Sequence, residues 1–137
     1  MEYDSFGVKM GIQGEREFKS AIKEINQSFK VLGSEMNLIS SQFDKNDSSI
    51  EALTAKNIYL NKSIDEQKNK IDTLNQALQN ASTSFGENDT RTKNWAIQLN
   101  NAKAELNNME KELEHNNQAL DTSGKEFNDA EKQADKF

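Results

Sequence analysis

The chain has 137 residues, of which 34% are hydrophobic, and a mean hydropathy of −0.93; that is too little for a large spherical core but enough for a narrow seam between helices. Seventeen basic against twenty-three acidic residues leave a net charge of −6, which argues against direct nucleic acid binding, because phosphate contact needs a basic face. Proline and cysteine are absent, so the strongest helix breaker, disulfides and thiolate chemistry are all missing, and no apolar run approaches the roughly 18 residues of a membrane span.

The chain opens with "MEYDSFGVKMGIQG". Acidic residues come first and no apolar core follows, so it does not read as a signal peptide. Phe6, Val8, Met10 and Ile12 alternate with small or polar residues at a period of two, which predicts a short extended or strand-like segment over residues 1–14, bounded by Gly14. Residues 15–137 then read as one coiled-coil helical region, interrupted near 44–48 and 85–90.

From Phe18, steps of four and three reach Ile22, Ile25, Phe29, Leu32, Met36, Ile39 and Phe43, all apolar, which is the seam of a coiled coil. The same frame continues without adjustment. It gives Ile50, Leu53, Leu60, Ile64, Ile71, Leu74, Leu78 and Phe85, then Trp95, Leu99, Leu106, Met109, Leu113, Leu120 and Phe127. A strict period of 3.5 implies left-handed supercoiling. Polar residues break the seam at Gln67, Thr92 and Ser123 and at four asparagines, Asn46, Asn57, Asn88 and Asn116. A buried asparagine weakens a seam but pins register, so these four are candidate register-setting positions. Phe29, Phe43, Phe85, Phe127 and Trp95 are bulky for a two-stranded core and favour three strands or a bundle, with a homotrimer expected over a dimer.

Two stretches carry stop and restart signals. In "FDKNDSSIEAL" (43–53), Ser48 with Glu51 three residues later forms a capping-box pattern, with Asp47 as an alternative cap. In "FGENDTRTKNW" (85–95), Gly86 and Asn88 are poor helix formers, and Asp89 and Thr90 are good caps. The two align at an offset of 42, pairing Phe43 with Phe85, Asp47 with Asp89 and Leu53 with Trp95, and "NQAL" recurs at 75–78 and 117–120. Forty-two is six heptads, so the phase survives each interruption. Preserved phase favours an extended rod, about 180 Å from Phe18 to Phe137. The alternative is an antiparallel helical hairpin or bundle, which matched segment lengths around a Gly-containing linker also fit. Either way the fold is all-α.

Chemistry is hard to place. His115 lies on an outward heptad position and reads as a solvated surface residue. "DKNDSS" (44–49) lacks the sixth-position glycine and twelfth-position glutamate of a calcium loop. Gly7, Gly11 and Gly14 match no phosphate-binding pattern. No catalytic, metal-binding or cofactor-binding residue is nominated, and an enzyme is not expected.

"GIQGEREFKSAIKEINQSFKVLGSEMNLISSQFDKNDSSIEALTAKN" and "SFGENDTRTKNWAIQLNNAKAELNNMEKEL" resemble the N-terminal region of phage tail tape measure proteins, with "INQSFKVLGSEM" and "SQFDKND" the most specific strings. The resemblance implies a non-enzymatic virion structural protein of a phage or prophage tail. It would be assembled in the bacterial cytoplasm and housed in the tube lumen, where helical copies act as a ruler or scaffold for tube assembly and length. Implied partners are further copies of itself, tail tube and baseplate proteins, and assembly chaperones. Members of that family are much longer chains, so this one is expected to be part of a longer protein. A generic coiled-coil adaptor or tether is the competing expectation.

Overall fold

The computed structural model describes residues 11–44 and 47–135, the side chains of 124–135 excepted. Three helices account for nearly all of them: α1 (Gly11–Gln42), α2 (Ile50–Phe85) and α3 (Thr90–Asp135). The protein is all-α, and among the described residues there is no strand. Ile12 and Gly14 lie in the first turns of α1, so the helix begins inside the segment expected to be extended, and Gly14 bounds no strand. Phe6, Val8 and Met10 lie outside the described residues.

The helices reverse direction at each link. At one end the Gly11 amide donates to Asn80 Oδ1 (3.0 Å) and Asn80 Nδ2 donates back to the Gly11 carbonyl (3.3 Å), which ties the start of α1 to the end of α2. At the other, Lys62 Nζ lies 3.5 Å from Glu35 Oε2. Helix α3 returns along α2 in the same manner, with Gln67 bonded to Ala102 and Asn116 to Leu53. The chain is therefore an antiparallel helical bundle, and the extended rod is overturned.

The reversal has a local cause at each link. α2 ends where Gly86 takes φ 94°, a left-handed conformation that L side chains rarely adopt, and its amide still reaches the Ser82 carbonyl. Asp89 then restarts the chain: its Oδ1 accepts the Arg91 amide (2.9 Å), and its carbonyl accepts the Lys93 amide. In the first link the N-cap of α2 is Ser49, whose hydroxyl accepts the Ala52 amide at 3.2 Å. It is not Ser48 or Asp47, since Asp47 instead accepts the Ser49 amide (2.8 Å) and shapes the turn ahead of the cap.

Both α1 and α3 pack on α2, and their backbones do not come within contact distance of each other. The main core lies where the first half of α1, the second half of α2 and the first half of α3 run side by side. It comprises Ile22, Ile25, Leu74, Ala77, Ala81, Trp95, Leu99 and Ala102, flanked by Phe18, Phe29, Ile71, Leu78 and Phe85. Toward the opposite end the bundle is less closed. Of the apolar residues Val31, Leu32, Met36, Leu38, Ile39 and Phe43, none is buried.

This architecture fixes the particle's length. Its longest helix, α3, has 46 residues and spans about 69 Å. Small-angle X-ray scattering on dilute protein at moderate salt is expected to give a maximum dimension below about 100 Å; one near the 180 Å of a rod would contradict the bundle.

Candidate functional site

Among the described residues, no three His, Asp or Glu side chains converge as a metal set, and no described helix is long and apolar enough to cross a membrane. His115 is exposed. The heptad positions divide by what they touch.

Of the seam residues, Ile22, Ile25, Leu53, Leu60, Ile64, Leu74, Trp95 and Leu99 are buried. Phe18, Phe29, Leu32, Met36, Ile39, Phe43, Ile71, Leu78, Phe85, Leu106, Met109, Leu113 and Leu120 are half-buried, and Ile50 is exposed. The side chain of Phe127 and all of Asn46 lie outside the described residues. The seam joins helices of the same chain. Two of the asparagines do so directly: Asn57 Nδ2 donates to Asn117 Oδ1, and buried Asn116 donates to the Leu53 carbonyl (2.8 Å). Asn88 is exposed in the turn after α2.

Gln67 is the polar position that the heptad pattern undervalued. It is fully buried, and its Nε2 donates to the Ala102 carbonyl (2.8 Å) and to Glu105 Oε2 (3.2 Å). Its Oε1, and the Oγ of buried Ser63 one turn earlier, have no hydrogen-bond partner among the described residues. Such orphaned groups cost about 1–3 kcal/mol each, so Gln67 fixes how α2 and α3 align at the expense of stability.

A second polar cluster ties α1 to α3. Trp95 Nε1 donates to Glu15 Oε1 at 2.6 Å, both residues being buried, and Lys19 Nζ stands 3.5 Å from the other carboxylate oxygen. The indole thus fills the core and uses its single donor, together with the Lys19 ammonium, to satisfy the buried carboxylate. Beside it, Arg91 clasps Asp89 through Nε and Nη2 (2.9 and 3.0 Å) and lies 3.5 Å from the Phe85 ring centroid. The Arg91 side-chain bonds, with the Arg91 amide, hold the Asp89 carboxyl down at about 2. The Ser49 backbone amide, then its side chain, lowers Asp47 in the same direction.

Open grooves flank α2, and two of them carry charged linings. One is lined by Ser28, Val31 and Leu32 of α1 with Lys62, Asp65 and Glu66 of α2. Nearby, Val31 and Leu38 are 60% exposed and Ile58 54%. The other groove lies between α2 and α3 and is markedly acidic, with Asp65, Glu110, Glu114 and Asp121 against Lys68.

The face of α2 turned to α1 was missed in the sequence. It carries buried Ala52, Ser63, Ala77 and Asn80, which occupy heptad positions c and g. Their small size was the available signal, since a helix packed on two sides needs small residues on its second face. Comparison with protein families, curated proteins and solved structures finds no match to this chain.

Two variants probe these contacts. Gln67→Leu is expected to raise stability by about 1 kcal/mol in urea unfolding; a loss would mean that its two bonds outweigh the orphaned oxygen. Asp89 has a folded pKa below its ordinary 3.8, so it stabilises the fold above about pH 4 and loses that contribution as pH falls through about 2. Acid titration followed by circular dichroism should therefore show Asp89→Asn less stable near neutrality, the difference from the parent shrinking toward pH 2.

Proposed function

We propose that this chain is a non-catalytic structural component of a phage or prophage tail, of the tape measure type, and that this region serves as a folded helical module. The observation that carries the reading is the resemblance of the α1 string "INQSFKVLGSEM" and the α1–α2 link "SQFDKND" to tape measure N-terminal regions. Compatible with it, the interior is built of packing residues and buried amides such as Leu74, Gln67 and Asn116. On this reading the chain resides in the tail tube lumen after assembly in the bacterial cytoplasm. Its partners there are other copies, tube and baseplate proteins and assembly chaperones.

A second reading, a coiled-coil adaptor or tether, draws on the exposed apolar residues Val31, Leu38 and Ile58, which suit a protein partner on the α1–α2 side. The two separate by location. Tail particles purified from an induced culture of the source bacterium, digested and analysed by mass spectrometry, are expected to contain peptides from residues 11–123. Peptides found only in the cytosolic fraction, with tube proteins present in the particles, would overturn the tail reading and favour the adaptor.

A further inference from the structure

Among the mixed exposed charges of this acidic protein, two stripes of opposite sign share one spacing. On α1, Lys19, Lys23 and Lys30 form an exposed basic ridge, at spacings of four and seven that put them along one stripe of the helix. On α3, Glu110, Glu114 and Asp121 are exposed along the groove shared with α2, at the same spacings of four and seven. Each set runs over eleven helical steps, about 16.5 Å of helix. Lys23 and Lys30 have no ion-pair partner among the described residues, nor have the three acids, whereas Lys19 already stands 3.5 Å from Glu15.

We propose that copies of this chain associate side by side, the α1 ridge of one lying in the α2–α3 groove of the next, with α1 and α3 parallel. In that register Lys19 faces Glu110, Lys23 faces Glu114 and Lys30 faces Asp121, while Asn26 meets Asn117 and Arg16 meets Asn107 without a like-charge clash. The antiparallel arrangement is worse. It keeps Lys19 with Asp121 and Lys30 with Glu110, but turns Lys23 onto Asn117 and leaves Glu114 facing Asn26.

The groove, of about 510 Å³, also has apolar lining from Ile64 and Leu113, against which lysine stems can lie while their ammonium groups reach the acids. Asp65 on the α2 wall adds negative charge, and Lys68 is the one cation among the lining residues. Ridge and groove sit on different helices, so the contact is heterologous. Each copy added presents a fresh ridge on one side and a fresh groove on the other, and the product is a ring or an open stack. Exposed charge pairs contribute little singly. The association is accordingly weak, strongly salt-dependent, and effective where copies are already concentrated. It rests on the charges of this chain and does not require the tail reading.

The test is sedimentation equilibrium over a concentration series at about 20 mM and about 500 mM salt. The parent chain should rise above its monomer mass of 15.5 kDa at low salt, with an association constant lower by about tenfold or more at high salt. The double variants Lys23→Glu/Lys30→Glu and Glu114→Lys/Asp121→Lys should each stay monomeric. Their equimolar mixture should associate again, because each then offers the other opposite charges on both faces. All four side chains are exposed, so unchanged helical circular dichroism is expected; if a double variant unfolds, Lys30→Glu and Asp121→Lys take its place in the same mixing experiment. A parent chain monomeric at low salt, association unchanged by salt, a single variant protein that associates like the parent, or a mixture that stays monomeric would each overturn the proposal.

Discussion

Helix α2 buries two adjoining faces at once, and without that neither α1 nor α3 would have a helix to lie against. Its seam positions meet α3, and a second stripe of small residues, with Ala52, Ser63 and Ala77 buried, lets the other side of the helix approach α1. Leu74 and Gln67, both fully buried, stand in the angle between the two faces. A large residue on the small stripe would push α1 away; a charge at Leu74 would disturb both interfaces together. Because α1 and α3 make no backbone contact, the side-chain bridge from Trp95 to Glu15 is what closes the bundle at the core end.

The closure is uneven. Near Trp95 the three helices surround a continuous apolar cluster, whereas the last third of α1 has only half-buried or exposed apolar residues. Regions with few buried contacts open at lower free energy than the core. The end of α1 is therefore the part of the described bundle with the least holding it, and the Glu35–Lys62 pair, both side chains substantially exposed, adds little.

The heptad seam could be read from the sequence because amphipathic periodicity is a local property that any partner helix requires. Direction could not. Steps of three and four are the same whether the seam closes against another chain or against the next helix of the same chain, so Phe85 and Trp95 hold phase across a full reversal. Preserved phase favours continuity, yet the conformation of Gly86 and the bond from Arg91 to Asp89 decide the path. The stop and restart signals were visible. The small second face of α2 was not, because Ala, Ser and Asn at c and g look like ordinary surface until a second neighbour is known. Trp95 falls on the seam and reads as core, whereas nothing in the local pattern marks its partner Glu15 as buried.

The 42-residue offset takes on a different meaning in the bundle. Asp47 accepts the amide of Ser49, and Asp89, 42 residues on, accepts the amide of Arg91 in the same way. The repeated unit is thus a turn followed by a helix, and each turn reverses the chain. Successive rises along the axis oppose each other instead of adding. A 42-residue unit laid out as a rod contributes about 63 Å, but a further unit folded as these are would add a helix beside the others and leave the length almost unchanged. If this region works in a tail, its folded form contributes a module of fixed size, and length in that form is no longer proportional to residue number.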